Sequence, residues 1–374
     1  MRISSQFDSG NIIVDSIEQP ENIRLRIRND SESEFKQWFH FRLVVPAKTP
    51  VVLHITNVNE CSYKEGWTGY QAVASYDRET WFRVPTEYDG EMLKISHTPM
   101  LNSVYYAYFA PFSHEQHQNL VHDAQMSDIC SLEVLGSTVQ SRDMDLLHIS
   151  SGNPSKKAWF IARQHPGESM AEWCAQGLIN RLLDHDDPIA RNLLKDWAFY
   201  VVPNMNPDGS FLGNLRSNAA GANLNREWQQ PSMEKSPEVA LVRAKMQAVG
   251  CDFFVDIHGD EAIPHTFVAR NEGIPSYSEK MNQQEQAFID ELLKTSPDFQ
   301  TEKGYPIDKP GKANLAMGSS WVGEHFKCVS LTLEMPFKDH IDLEDTVYGW
   351  SPERSEKLGE ALLGALNASQ NLVI

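Results

Sequence analysis

The sequence lacks several features that would direct it toward other functions. Its five cysteines are scattered singly, no CxxC pair occurs, and the number is odd. This pattern argues against a disulfide framework and against a cysteine-based zinc site. No apolar run approaches the roughly 20 residues of a membrane-spanning helix, and the N-terminus has no apolar core of a signal peptide. We therefore expect a reduced, cytoplasmic protein with no membrane partner.

Basic charge is scarce as well. The 374 residues include 33 Lys and Arg against 51 Asp and Glu, which gives a formal net charge of -18. Because phosphate binding requires a basic face, we expect no nucleic-acid partner, and an acidic substrate would need a local basic pocket. The hydrophobic content of 41% is that of a globular protein, and the length favours two domains.

Two patterns divide the chain. Up to about residue 120, runs such as Ile23 to Arg28 alternate apolar and charged residues, which is the period of a half-buried strand. From about residue 130, strand-like runs alternate with helix-like runs, as in an α/β sheet covered on both faces. We predict an N-terminal antiparallel β-sandwich domain over residues 1–120 and an α/β/α domain with a mixed central sheet over residues 121–374. The His-rich segment His114 to Asp128 is interpreted as a solvated linker or surface helix.

The first candidate metal ligands are His165 and Glu168, which flank Pro166-Gly167 after the apolar run 158–162. His165 ends a predicted strand, and Glu168 lies in the first turn of a predicted helix. Imidazole and carboxylate are zinc ligands, and catalytic zinc takes three protein ligands and a water. A helix cap would explain Glu168 equally well, so the pair needs a third ligand. His258 supplies one, because it follows the strand-like run 253–257 and has the same strand-end placement.

A polar loop from Asn204 to Trp228 separates these two ligand segments, and its cations are Arg216 and Arg226. Arginine binds carboxylates in bidentate fashion and can stabilise a developing oxyanion, although a surface ion pair would explain either residue alone. Glu334 is the one carboxylate in the apolar run 329–336. A buried glutamate is costly unless it is paired or its pKa is raised. Such a residue is suited to act as general base on a zinc-bound water.

Taken in order, HPGE, the NPDG loop with its arginines, DIHG and the strand glutamate resemble the zinc metallocarboxypeptidases related to carboxypeptidase A, over roughly residues 130–374. The N-terminal part, with Trp38-Phe39-His40-Phe41 and Ser75-Tyr76-Asp77-Arg78, resembles the N-terminal domain of the cytosolic, deglutamylase-like subfamily. The resemblance implies one Zn²⁺ per chain, with His165, Glu168 and His258 as its ligands.

The resemblance also implies roles for residues around the metal. Arg216 would polarise the scissile carbonyl, and Asn225 with Arg226 would bind the terminal carboxylate of the substrate. Glu334 would be the catalytic glutamate. Tyr305 is the nearest candidate for the substrate-capping tyrosine of the family. Asn223 is a departure, because many relatives have an aspartate there to orient the first histidine ligand.

These residues predict a zinc-dependent metallocarboxypeptidase that hydrolyses C-terminal residues, with glutamate as one candidate, from peptides or proteins. An N-acyl amino acid deacylase would use the same zinc and a similar Asn-Arg pair. A binding module with an inactive second domain is disfavoured by the complete ligand set. The residue that is removed stays open. Four cations lie where an acidic side chain would be bound, and each would also suit a surface position: Arg270, Lys303, Lys309 and Lys312.

Overall fold

The computed structural model describes residues 1–373, which form 17 strands and 8 α-helices. The strands are β1 (Arg2–Ser4), β2 (Ile13–Ser16), β3 (Ile23–Arg26), β4 (His40–Val44), β5 (Val51–Ile55), β6 (Val73–Ser75), β7 (Phe82–Arg83), β8 (Thr86–Tyr88), β9 (Leu93–His97), β10 (Ser103–Ala107), β11 (Cys130–Ser137), β12 (Asp143–Ile149), β13 (Lys156–Ala162), β14 (Trp197–Val202), β15 (Phe253–Asp260), β16 (Phe267–Ala269) and β17 (Val329–Pro336). The helices are α1 (His114–Ala124), α2 (Met170–Leu183), α3 (Pro188–Leu193), α4 (Pro207–Leu212), α5 (Pro237–Val249), α6 (Glu279–Thr295), α7 (Gly318–Phe326) and α8 (Pro352–Ser369).

Two five-stranded sheets make up the N-terminal part, with the strand orders β1-β4-β10-β6-β7 and β2-β3-β5-β9-β8. The alternation in the sequence has the expected effect, because Ile23 and Leu25 are buried while Arg24 and Arg26 are exposed. The strand pairs are antiparallel, except that β3 and β5 run parallel. The predicted antiparallel architecture is confirmed, with this one parallel pair as the difference.

The second part contains a seven-stranded mixed sheet with the order β11-β12-β14-β13-β15-β17-β16. Its four central strands run parallel, and the outer strands β11, β12 and β16 pair antiparallel. Side chains alternate between two buried clusters: Phe160 packs in the cluster that includes α2, α6 and α8, and Trp159 in the one that includes α5 and α7. Both faces are therefore covered, as the strand-helix alternation predicts.

The parallel strands bring the candidate catalytic residues close together. In the register of β15 and β17, His258 lies directly opposite Glu334. His165 follows β13 by three residues, so three of the candidate site residues come from the carboxyl ends of neighbouring strands. This edge of a parallel sheet is where open α/β folds place their ligands.

Helix α1 corrects one interpretation of the sequence. Ser113 caps the helix, and its side chain accepts a hydrogen bond from the amide of Gln116. His122 is exposed, as expected of a solvated helix, but His117 is 2% exposed and lies between Asp145 and Glu172. The prediction is wrong for His117, because a histidine with carboxylates on both sides is held in the interior rather than in water.

The predicted domain boundary at residue 120 falls inside α1, and one buried cluster takes residues from both sides of it. The division into residues 1–120 and 121–374 stays a prediction. Within residues 1–373, no helix combines the length and the apolar character required to cross a membrane.

Candidate active site

Three buried side chains converge at the carboxyl ends of β13 and β15. The two carboxylate oxygens of Glu168 lie 2.7 Å from His165 Nδ1 and 2.7 Å from His258 Nδ1. One ligand atom from each residue lies within 4.8 Å of the other two, and each side chain is at most 5% exposed. Zinc binds such nitrogen and oxygen donors at about 2.0–2.2 Å, so a small outward adjustment of these side chains would accommodate the ion.

The second nitrogen of each histidine ring faces an oxygen. Asn223 Oδ1 lies 3.1 Å from His165 Nε2, and Asp256 Oδ1 lies 2.9 Å from His258 Nε2. A proton held on Nε2 leaves the Nδ1 lone pair free for a metal, which is the usual arrangement behind ligating histidines. The donor set and its supports therefore fit a zinc ion. The sequence had pointed to Asn223, whereas the role of Asp256 was missed.

The environment of the cluster favours the protonation states that bind a metal in two of its residues, His165 and Glu168. Burial, together with the charge of Arg216, lowers the pKa of His165 to about 4, so its ring is neutral. Burial raises the pKa of Glu168, but the two histidines outweigh burial and hold this pKa well below its usual value. For His258, burial lowers the pKa and the carboxylates of Asp256 and Glu168 raise it well above the usual value. Binding of a metal would therefore displace a proton from this cluster.

The turn that carries His165 is fixed by its neighbours. Arg163 has a φ of 61°, a left-handed conformation that is uncommon outside glycine. Its side chain donates to Pro166 O at 2.9 Å and to Glu172 Oε2 at 2.7 Å. Gly167 donates to Leu215 O at 2.8 Å, and a Cβ on this residue would approach the same oxygen to 3.0 Å. The glycine thus permits close contact between the metal-binding turn and the loop that bears Arg216.

Arg216 is held by residues of the N-terminal part. Asp30 accepts hydrogen bonds from the amides of Leu215, Arg216 and Ser217 at 2.6, 2.7 and 2.9 Å. The Arg216 guanidinium carbon lies 5.2 Å from the centre of the Tyr63 ring, within the range of a cation–π contact. This arrangement could not be predicted from sequence, because Asp30 is separated from its partners by about 185 residues.

The predicted carboxylate-binding pair lies beside the metal cluster. Asn225 is 4% exposed, its Oδ1 accepts from Gly318 N at 2.8 Å, and its Nδ2 lies 3.4 Å from His258 Nε2. Arg226 is exposed and donates to Asn225 O at 2.6 Å. Burial and the nearby charge of Arg216 lower the pKa of Arg226. Because the guanidinium groups of Arg216 and Arg226 are close enough to repel each other, an anion near both of them would be attracted by both.

Glu334 and Tyr305 meet on the other side of the cluster. Glu334 is 6% exposed, and its Oε2 has no hydrogen-bond partner among residues 1–373. The Tyr305 hydroxyl lies 3.2 Å from Glu334 Oε1 and 2.7 Å from Asp260 Oδ2. Burial, with the nearby carboxylates of Glu168 and Asp260, raises the pKa of Glu334 well above its usual value. The neighbouring Asp260 and the buried Glu261 were not identified from the sequence.

The four candidate specificity cations divide into two pairs. Arg270 and Lys303 line a cavity of ≈ 690 Å³ that also contains Tyr305, whereas Lys309 and Lys312 are exposed and do not line it. The Arg270 guanidinium is already engaged by two carboxylates, since its Nε lies 3.1 Å from one glutamate and 3.3 Å from another, Glu285 and Glu272. Among residues 1–373, no carboxylate pairs with the ammonium group of Lys303.

Comparisons with known proteins cover most of the chain. Residues 120–358 match the family model of the zinc carboxypeptidases, and residues 3–109 match that of the cytosolic carboxypeptidase N-terminal domain. A putative carboxypeptidase A from Shewanella denitrificans is 53% identical, with a TM-score of 0.97 over 98% of both chains. A metallo-carboxypeptidase from Pseudomonas aeruginosa, solved in complex with (2-guanidinoethylmercapto)succinic acid, is 46% identical, with a TM-score of 0.97 over 100% of both chains. Cytosolic carboxypeptidase 6 of Caenorhabditis elegans is 26% identical over 97% of this chain and 85% of its own length.

Proposed function

Because the chain belongs to the zinc carboxypeptidase family and carries the N-terminal domain of the cytosolic carboxypeptidases, we propose that it removes the C-terminal residue of a peptide or protein with the residues described above. The enzyme is a peptide hydrolase of a family that uses one zinc ion per chain. The assignment of each role to a residue is our proposal, and it rests on the geometry of the site.

We assign the zinc ion to His165, Glu168 and His258. When bound, zinc polarises the scissile carbonyl and lowers the pKa of its water. The protein contributes the orientation of the donors, because Asn223 and Asp256 fix the two imidazole rings through their Nε2 atoms.

Arg226 and Asn225 bind the terminal carboxylate of the substrate in this proposal. The exposed guanidinium of Arg226 meets the substrate first, and Asn225 is held in place by Gly318. Arg216 lies deeper and stabilises the negative charge that develops on the carbonyl oxygen during attack. Recognition of a free carboxylate restricts cleavage to the last peptide bond.

Glu334 acts as the general base in this proposal. The observation that carries this role is its position opposite His258 in the sheet, with one carboxylate oxygen buried and without a protein partner among residues 1–373. It accepts a proton from the attacking water and passes that proton to the leaving amine. Tyr305, which contacts Glu334, is the residue that caps the bound substrate in this proposal.

The test compares blocked peptides that end in a free carboxylate with the same peptides as amides and with N-acetyl amino acids. We expect release of the last residue from the free acids and no cleavage of the amides. Glu334→Gln should keep its zinc and lose at least about 100-fold in kcat, whereas Glu234→Gln, an exposed glutamate outside the cavity, serves as the control. Near-normal turnover by Glu334→Gln would remove it from the mechanism, and faster hydrolysis of N-acetyl amino acids would identify a deacylase.

For the residue removed, we propose glutamate. Lys303 supports this choice, because it lines the cavity beside Tyr305 and has no carboxylate partner among residues 1–373, whereas Arg270 is paired with Glu285 and Glu272. The relative from Pseudomonas aeruginosa binds a compound that carries both carboxylates and a guanidinium, so a basic residue is the alternative.

Peptides that differ only in a final Glu, Lys or Leu decide between these possibilities. Glutamate should be released fastest, and Lys303→Gln should slow that release while it leaves the leucine peptide unchanged. Lys309→Gln, an exposed lysine outside the cavity, is the matched control. Preferential release of lysine would contradict the proposal.

We further propose that the enzyme works in the cytoplasm. All five cysteines carry free thiols, which suits a reducing compartment, and the relatives include cytosolic carboxypeptidases. Fractionation of cells that produce the protein naturally, followed by immunoblotting, tests the location. Recovery in an extracellular or periplasmic fraction would contradict it.

A further inference from the structure

A second group of metal-binding side chains lies beyond the strands that carry the active site. One ligand atom from each of His265, His340 and Asp342 lies within 4.8 Å of the other two. His265 Nδ1 is 3.3 Å from Asp342 Oδ2, and the two imidazole rings meet edge to face with their centres 5.1 Å apart. The proposed peptidase reaction uses none of these residues.

The two histidines have unsatisfied ring nitrogens. His265 Nδ1 and His340 Nε2 are buried and have no hydrogen-bond partner among residues 1–373, although buried polar atoms are almost always paired. A weak contact between the N–H of His340 and the face of the His265 ring would satisfy one nitrogen. It would leave His265 Nδ1, which faces a carboxylate, without a partner. Both nitrogens would be satisfied by a cation that Asp342 also binds.

The backbone already holds the three residues near one another. Ile341 N donates to Pro264 O at 3.1 Å, which joins the segment after β15 to the segment after β17. Asp339 fixes the second segment, because its side chain accepts from the amides of His340 at 2.8 Å and Asp345 at 2.6 Å. Little conformational order would therefore have to be created on binding, and this preorganisation favours affinity.

The surrounding charges suit a neutral imidazole. Burial lowers the pKa of His340, and the charges of His265 and Arg354 act in the same direction. The Arg354 guanidinium is itself paired with Asp298 at 2.5 Å and Asp339 at 3.1 Å, so its charge is compensated near the group. Neutral imidazole is the form that binds a metal.

We propose that His265, His340 and Asp342 bind a second divalent metal ion of the zinc type, separate from the catalytic ion. Two imidazoles and one carboxylate are typical ligands of zinc and of neighbouring first-row metals. The Asp342 side chain is 68% exposed, which leaves room for water as a further ligand. Binding through His340 Nε2 places the ring proton on Nδ1 and gives up the long 3.3 Å contact from Asp342 N.

Such an ion would connect the chain that leaves β15 after Asp260 to the chain that leaves β17 after Pro336. Both strands carry residues of the proposed reaction, and the ion would cross-link the segments just beyond them. A ligand that binds the folded state alone stabilises it in proportion to the logarithm of its concentration. Added zinc should therefore raise the unfolding temperature of protein whose catalytic site is already filled.

The decisive measurement is the number of zinc ions per chain. Holoprotein is equilibrated with micromolar free zinc, passed through a desalting column and analysed by mass spectrometry. We expect two ions in the wild type, one in Asp342→Ala, one in Glu168→Gln and none in the double variant. Asp342 is chosen because its exposed side chain can be removed without opening the core, and His185→Gln, an exposed histidine elsewhere, should retain two ions.

A thermal measurement provides an independent readout. Added zinc should raise the unfolding temperature of the wild type and of His185→Gln, and should leave that of Asp342→Ala unchanged. One ion per chain in the wild type would overturn the proposal, as would a second ion that persists in Asp342→Ala. Glu168→Gln is designed to remove only the catalytic ion. If the catalytic ligands are wrongly assigned, Glu168→Gln keeps two ions, whereas failure of the second site shows in the wild type or in Asp342→Ala.

Discussion

At the scale of single residues, the two candidate histidine ligands have unequal supports. His258 is backed by the carboxylate of Asp256, whereas His165 is backed by the neutral amide of Asn223. Asn223 Oδ1 lies 3.1 Å from His165 Nε2 and Asp256 Oδ1 lies 2.9 Å from His258 Nε2, but only the carboxylate adds negative charge that strengthens the imidazole as a metal ligand. The His165 side of the cluster should therefore be the weaker half of the zinc site.

This difference can be measured by substitution at Asn223. Asn223→Ala should weaken zinc binding by about 10–100-fold, because the His165 ring loses its orienting partner, and Asn223→Asp should strengthen it. Competition with a fluorescent zinc chelator measures both changes, with the exposed Asn119→Ala as control. Unchanged affinity in Asn223→Ala would show that the ring is oriented without this contact.

The two arginines should affect different kinetic constants. Arg216→Gln removes a group that acts on the developing oxyanion, so kcat should fall by about 10²–10³-fold with little change in KM. Arg226→Gln removes a group that binds the ground state and the transition state alike, so KM should rise more than kcat falls. Steady-state kinetics on one peptide, with the exposed Arg191→Gln as control, tests the pair. A rise in KM for Arg216→Gln and a fall in kcat for Arg226→Gln would mean that the two proposed roles are exchanged.

At the scale of elements, α1 is attached to the catalytic part through a buried ionic contact. His117 Nδ1 lies 2.6 Å from Glu172 on α2, and its Nε2 lies 3.1 Å from Asp145 on β12. Glu172 also accepts from Arg163, whose side chain holds the turn before His165 and Glu168. The helix thereby supports the metal-binding turn without contacting the metal ligands themselves.

The ionisation of His117 should appear in the pH dependence of stability. Burial lowers its pKa, but hydrogen bonds to Asp145 and Glu172 outweigh burial and raise the pKa to about 9. A histidine whose pKa is raised in the folded state stabilises the fold fully below pH ~6.5, and this contribution is lost as the pH rises toward 9.

Chemical denaturation from pH 6 to 9.5 tests this prediction. The free energy of unfolding of the wild type should fall over this range by an amount on the order of 3 kcal/mol, and His117→Gln should flatten the curve. His122→Gln, on the exposed side of the same helix, is the matched control. A fall of equal size in His117→Gln would assign the effect to other groups.

Helix boundaries were harder to predict than the strands around them. The sequence favours a helix from Ala313 to Phe326, but α7 begins at Gly318. The amide of Ala313 donates to Gly273 and that of Gly318 to Asn225. Helix α4 also interrupts the polar loop, where Asn206 caps the amide of Gly209. These hydrogen bonds depend on tertiary contacts that local periodicity does not encode.

At the scale of the whole molecule, the N-terminal part contributes to the active site. Asp30 binds three consecutive backbone amides around Arg216, and Tyr63 lies against its guanidinium. Tyr108 stacks on Phe337, three residues beyond Glu334, with ring centres 4.6 Å apart. The two parts should therefore unfold together rather than one after the other.

Substitution of Asp30 tests this coupling. Asp30→Asn leaves one oxygen to accept hydrogen bonds that two carboxylate oxygens accept now, so kcat and the unfolding temperature should fall together. Calorimetry should show one transition in both proteins. Glu91→Gln, at an exposed position of the same part, should change neither quantity. A loss of stability at normal kcat would mean that the loop at Arg216 is positioned without Asp30.

The sequence identified the site residues whose positions depend on local order. His165, His258 and Glu334 could be placed because each lies at or near the end of an apolar strand, and parallel strands end at one edge. Asp30 and the buried His117 could not, since each acts through partners that are distant in the chain. The resemblance to a family supplied roles for the arginines that their spacing alone left open.

The contact between Tyr305, Asp260 and Glu334 has a consequence for the timing of the reaction. Before substrate arrives, the tyrosine hydroxyl lies 3.2 Å from Oε1 of the proposed base, and a hydrogen bond to this oxygen lowers the basicity of the whole carboxylate. An arriving peptide that offers its own polar groups to Tyr305 would exchange one hydrogen bond for another, at little net cost. The Tyr305 hydroxyl would thus leave Glu334 as the substrate enters. The position of this one side chain would then decide whether Glu334 is a weak base or a strong one.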